Sequence, residues 1–302
     1  MHHIGGAAAL AAAVALGVAG PAQASMEKVR VYERDGLTHI VVQDRGNQAF
    51  TYQWVENDPR RHTDDGLALY YRVDRTELPR GVTWEQTEAA IESAAATFRA
   101  LTCGSVELIR VDDELGENLG YIQDAVGFGG NPTLRPDITF AGWVPREFFT
   151  AVGLPGSFGV ALPVVPDAAD GSPVWGLDVL DPNRELSDVN GDRKHDLVAT
   201  EVYFNRDWNY VTDDEDLANT LFYIDVESIV LHELGHALGM DHFGRYEVVL
   251  DQDGNFVDLI LNPHSLSTMN TSNYLQKRDL SGSDVASFCG LYADWGAGMP
   301  LR

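Results

Sequence analysis

The chain has 302 residues, with 46 Asp and Glu against 21 Lys and Arg, for a net charge of −25. Hydrophobic residues make up 44%, too many for an acidic disordered chain, so one large or two smaller folded domains carry this charge. The negative field repels phosphate, which argues against nucleic acid and anionic membranes as partners and turns attention to bound cations.

Residues 1–24 contain no Asp, Glu, Lys or Arg. An apolar run from Ile4 to Gly20 precedes the small-residue triplet Ala22-Gln23-Ala24, the pattern of a secretory signal peptide. An N-terminal membrane anchor is the alternative reading of the same run. No later stretch approaches the ~20 apolar residues of a spanning helix, so the mature chain is expected to start near Ser25 and to be secreted, soluble and monomeric. Cys103 and Cys289 are the only cysteines. In an oxidising compartment they permit one disulfide, and two buried free thiols are the alternative.

Val29 to Val42 reads as a hairpin around Asp35-Gly36, and Ala49 to Val55 as a third strand. The polar stretch Asn57 to Gly66 reads as a linker. Its pair Arg60-Arg61 suits either a processing site or an ordinary exposed pair. The division expected is therefore a leader (1–24), a small β-rich segment or propeptide with linker (25–66) and a main domain (67–302). In the main domain Leu67–Val73, Val106–Val111, Asp137–Phe140, Ser157–Val165 and Thr200–Phe204 read as strands. Thr83 with Gln86 forms a capping-box pattern before a helix from Trp84 to about Leu101. A second helix spans Leu280 to Tyr292, capped by Ser281 or Ser283. Gly116 to Asp181 is rich in Gly and Pro and is expected to be mostly loop.

The chemistry concentrates in Asp225 to His242, DVESIVLHELGHALGMDH. Asp225 can cap a helix whose His232 and His236, four apart, share one face. Two imidazoles so placed can bind one Zn²⁺, with Glu233 beside it to take a proton from water. Gly239 can turn the chain sharply and bring His242 back as a third ligand. Three protein ligands leave the fourth position open, the catalytic rather than the structural arrangement. Asp188, Asn190, Asp192, Lys194 (through its carbonyl) and Asp196 follow EF-hand-like spacing for Ca²⁺, although Ala199 stands at position 12 and Glu201 is the nearest substitute. Asp251-Gln252-Asp253-Gly254-Asn255 could also hold calcium, but a hairpin turn between apolar strands explains it without metal. Asp213 to Asp216 reads as a charged loop.

HELGHALGMDH resembles the zinc signature of the metzincin metalloendopeptidases, and within them the matrixins and their bacterial relatives. Ser267-Thr268-Met269 is similar to the family's Met-turn, in which the Met269 thioether would pack beneath the ligands. The likeness runs from about Leu67 to Tyr292. It implies an α+β fold, with a twisted, mixed, mainly parallel sheet above the zinc helix and a smaller, helical C-terminal subdomain below the cleft. It further implies a secreted zinc endopeptidase with Glu233 as general base. A protein or peptide substrate would lie along an edge strand at Gly159, Val160, Ala161 and Leu162. The chain departs from the matrixin pattern in several places. His242 and Met269 are 27 positions apart, and the insertion Phe243–Leu266 is expected to form a hairpin by the cleft. Thr271 stands two places after Met269, where related families carry a Pro or a Tyr, and Tyr274 is five places on, out of that register. No His-x-Asp pair for a structural zinc precedes Gly159, and no cysteine switch is present; if Ser25 to Gly66 is a propeptide another group must block the zinc, and Asp64 or Asp65 could do so, with solvated linker charge the simpler reading of both. The reading from another class is a calcium-stabilised secreted binding or adhesion protein with a non-catalytic zinc site, against which the intact Glu233 weighs.

Overall fold

The computed structural model describes residues 28–45, 52–61, 66–75, 77–112, 118–135, 137–176, 184–212, 223–263, 266–270 and 276–297. The leader, Asp64, Asp65, the loop Asp213–Asp216, Thr271 and Tyr274 lie outside these residues. The architecture is mixed α/β, with a mostly parallel central sheet and five helices among the described residues.

Strands β1 (Lys28–Arg34) and β2 (Leu37–Arg45) form the expected hairpin. Asp35 and Gly36 both adopt positive φ, 55° and 75°, as a type I′ turn requires. The next strand, β3 (Tyr52–Trp54), departs from expectation: it does not extend the hairpin but pairs in parallel with β9 (His195–Leu197). β4 (Ala68–Val73) leads to α1 (Trp84–Arg99), which opens with the full Thr83–Gln86 capping box. Its buried positions Thr87, Ala90, Ile91, Ala94, Ala95 and Phe98 recur at helical spacing and face the core. The supposedly loop-rich middle carries more order than its composition suggests. After β5 (Glu107–Arg110) come α2 (Tyr121–Ala125), β6 (Ile138–Val144), α3 (Arg146–Ala151), β7 (Gly159–Pro166) and β8 (Pro173–Trp175). β6 runs four residues past the expected DITF because AGWV is as buried as ITF.

With β10 (Ala199–Asn205) these strands make a six-stranded sheet in the order β5-β4-β6-β10-β7-β8. Pairings β4/β5, β4/β6 and β6/β10 are parallel, while β10/β7 and β7/β8 are antiparallel. β6 and β10 are buried throughout, as central strands covered on both faces must be. Alternation along β7 divides the core. Ala161 and Val165 join the larger cluster, which holds the apolar faces of α1 and α4 (Val226–Ala237). Val160, Leu162 and Val164 join Phe148 and Phe149 of α3 on the other face. A short parallel pair, β11 (Tyr210–Val211) and β12 (Ile224–Asp225), leads into α4.

The insertion after His242 forms the expected hairpin, β13 (Phe243–Leu250) and β14 (Phe256–Pro263). Asp251 accepts the backbone N–H groups of Asp253 and Asn255 in the turn, so the hairpin accounts for this acidic stretch. β2 pairs along the whole of β13, which gives a four-stranded sheet β1-β2-β13-β14. The chain's first described hairpin is thus joined to the segment that leaves the third histidine.

The described residues of the stretch Asn57 to Gly66, 57–61 and 66, correct the reading of Arg60-Arg61 as an ordinary exposed pair. Arg61 is fully buried, pairs with Asp137 at 2.9 Å and donates to the carbonyls of Val55 and Gly66. Arg60 is half-buried and pairs with Asp58 and Asp196. Neither arginine is free surface. The last helix, α5 (Gly282–Tyr292), is capped by Ser281. Cys103 and Cys289 form a disulfide that closes 186 residues and ties α5 to the chain that follows α1.

Candidate metal centre

Helix α4 starts where Asp225 accepts the N–H of Ser228 at 2.9 Å, and the same carboxylate holds Arg278 at 2.6 Å. Nearly every residue of α4 is buried, so the helix is fixed on all sides. Its C-terminal carbonyls, which have no partner within the helix, are met from outside. The Trp54 indole donates to the Ala237 carbonyl at 2.8 Å and the Tyr292 hydroxyl to that of Leu238 at 2.7 Å. Gly239 then takes φ +80°, and a Cβ there would strike the Tyr52 carbonyl. Glycine is required both for the turn and for the close passage of β3.

That turn brings His242 to the other two histidines. The Nε2 atoms are 3.1 Å apart between His232 and His242, 3.2 Å between His232 and His236, and 2.9 Å between His236 and His242. Among the described residues this is the one group of three His, Cys, Asp or Glu side chains placed to hold a metal ion. A tetrahedral ion at ~2.0–2.1 Å from each ligand would space its nitrogens roughly 3.3 Å apart, close to what is seen. The far ring nitrogens fix the tautomer. Nδ1 of His232 donates to the Thr268 carbonyl at 2.7 Å, and Nδ1 of His236 to the Met240 carbonyl at 2.8 Å. Both Nε2 lone pairs therefore point into the shared space, as metal-binding imidazoles require. Burial pushes His232 down to about 4, His236 to about 3 and His242 well below the usual range, with the neighbouring histidines adding to the fall at the last two. All three are neutral at pH 7 and need lose no proton to bind a cation.

Glu233 is buried beside them. Its carboxylate lies against β7, and a Cβ on Gly159 would come within 2.9 Å of its Cγ. Burial pushes its pKa up to about 8, against a hydrogen bond from the Ala161 backbone N–H. A cation on the adjacent imidazoles would pull it back down. β8 pairs only with Val164–Pro166 of β7. On the side away from β10, Gly159–Leu162 therefore has no strand partner among the described residues.

Met269 is fully buried, and its sulfur occupies the place a Cβ on Gly235 would need. The turn that carries it is held by one carboxylate. Asp284 accepts from Ser267 Oγ at 2.5 Å, Thr268 N at 2.8 Å and Met269 N at 3.1 Å, while also completing the Ser281 cap of α5. Burial alone would raise Asp284; these hydrogen bonds outweigh it and leave the carboxyl below the usual carboxylate range. Gly235 and Asp284 carry readable signals, a glycine inside the histidine motif and the acidic third residue of a capping box. The Thr268, Met240 and Ala161 backbone groups carry none, because a carbonyl or an N–H is the same in every residue.

The spacing-based calcium loop is built differently from the histidine group. Asp188 accepts the N–H groups of Asp192 and Arg193, and Asp192 accepts that of Lys194. Asn190 bonds Asp192, and Asp196 is taken by Ser187, the Val189 N–H and Arg60. In this structure the loop's carboxylates bond its own backbone, Ser187 and Arg60.

Comparison with known protein families finds none that matches the chain, and no curated protein matches it in sequence. No helix among the described residues is long and apolar enough to cross a membrane.

Proposed function

We propose that the chain is a secreted zinc-dependent endopeptidase of the metzincin type, closest to the matrixins. The observation that carries this reading is the convergence of three Nε2 atoms to within 3.2 Å, on a helix whose Glu233, next to His232, is buried with its carboxylate against Gly159 of β7. His232, His236 and His242 would hold the ion. When bound there, zinc supplies a Lewis acid that polarises a carbonyl and acidifies water.

The remaining work falls to the chain's own groups. Glu233 takes a proton from the attacking water and delivers it to the leaving amine. The Ala161 N–H holds that carboxylate in place, and Gly159 leaves it room. The unpaired side of β7 from Gly159 to Leu162 receives an extended peptide by backbone pairing. The packing of α4 against the sheet and of Met269 against Gly235 supports this reading.

Casein hydrolysis by the purified protein tests the proposal. Activity should vanish with a zinc chelator and return with added Zn²⁺. Glu233→Ala should lose at least ~10²-fold in kcat/KM while still binding one zinc. Unchanged turnover in Glu233→Ala would refute the assigned base.

A further inference from the structure

We infer that Tyr210 is a positioning residue for Glu233: its hydroxyl pins the start of the β7 edge against which the Glu233 carboxylate lies. The inference rests on the function proposed above for its part in turnover, and on geometry alone for its part in the fold.

Tyr210 stands outside the histidine motif, yet three features connect it to Glu233. Its hydroxyl lies 3.0 Å from the Phe158 carbonyl and 2.7 Å from that of Asn205, and shares one proton between them. Phe158 immediately precedes Gly159, the close neighbour of Glu233. Asn205 completes the clamp. Its backbone N–H donates to the same Phe158 carbonyl at 2.8 Å, and its side chain to the Ser157 carbonyl at 2.9 Å. Tyr210 and the end of β10 thus hold both carbonyls that come before Gly159. The second feature is the strand itself. Tyr210 belongs to β11, whose parallel partner β12 runs directly into the Asp225 cap of α4. One side chain therefore ties the helix that carries Glu233 to the strand on which its carboxylate rests. The third is confinement. Tyr210 is buried, and its ring packs edge-on to Trp143 with centroids 4.7 Å apart, which fixes the hydroxyl in place. Burial, and after it the Glu233 charge, raise the phenol well above its ordinary range. The hydroxyl keeps its proton at neutral pH and lies near enough to feel that carboxylate.

Tyr210→Phe keeps the ring and removes only the hydroxyl. Amide hydrogen exchange of the full chain, after a chelator has removed metal, should be about tenfold faster at Gly159, Val160 and Ala161 and unchanged at Val164 and Val165. With zinc restored and casein as substrate, kcat should fall about tenfold while KM rises no more than about threefold, because the edge keeps its backbone groups. Tyr71→Phe is the control. Tyr71 is buried in the same cluster, but its hydroxyl bonds Glu92 instead, and both readouts should stay at the wild-type values. Unchanged exchange in Tyr210→Phe, faster exchange with undiminished kcat, or the same losses in Tyr71→Phe would each overturn the inference. Should the wild type cleave no peptide, the proposed function fails, and the exchange result alone still decides whether Tyr210 holds this edge.

Discussion

Asp284 shows how much one side chain can settle at this centre. Its carboxylate orders the turn that carries Met269 and Thr268, and the Thr268 carbonyl orients His232. Because its folded-state pKa lies below the ordinary value, it adds stability that is complete above about pH 4 and lost as the pH falls further. Asp284→Asn should flatten that acid limb of the stability curve, which urea unfolding between about pH 2.5 and 6 would measure; an unchanged slope would count against the clamp. Gly239 is the other decisive residue. Gly239→Ala meets both a left-handed backbone and the Tyr52 carbonyl. Thermal unfolding should show a loss of at least ~1–2 kcal/mol, the cost of the left-handed conformation alone.

At the scale of elements, what could be read from the sequence was local. The Asp35-Gly36 hairpin, the Thr83–Gln86 box and the histidine motif each lie within a few turns of chain, where spacing and turn chemistry decide the outcome. The long-range pairings left no such trace. β2 alternates like any strand, and nothing in it names β13, some 200 residues away, as its partner. Arg61 looked like exposed linker because its partner, Asp137, is 76 positions on. The Asp188–Asp196 spacing suggested calcium, but it gave no sign that Arg60 from that same segment pairs with Asp196. Residues 52–61 consequently belong to the support of α4. Arg61→Ala would leave Asp137 charged and unpaired in the interior, and a loss of ~3–5 kcal/mol is expected in denaturant unfolding. A loss below about 1 kcal/mol would mean that this segment is not integral to the core.

Over the whole molecule, a charge of −25 is carried by a body whose two ends are tied together. β3 and α5, far apart in the chain, both close the C-terminal end of α4, and the Cys103–Cys289 bridge holds α5 against the first half. A loop of 186 residues gives a chain-entropy stabilisation of at most ~5 kcal/mol. Calorimetry with a phosphine reductant should therefore lower Tm by several degrees; no change would show that the bridge does not limit unfolding. All of this support converges on three imidazoles, and their occupancy is the most direct test. Metal analysis with zinc-edge X-ray absorption on the purified protein should find one zinc per chain, with three nitrogen ligands at ~2.0–2.1 Å, and His242→Ala should lose it on dialysis. A protein that takes up no zinc, or a His242→Ala variant that keeps it with the same three-nitrogen shell, would contradict the assignment.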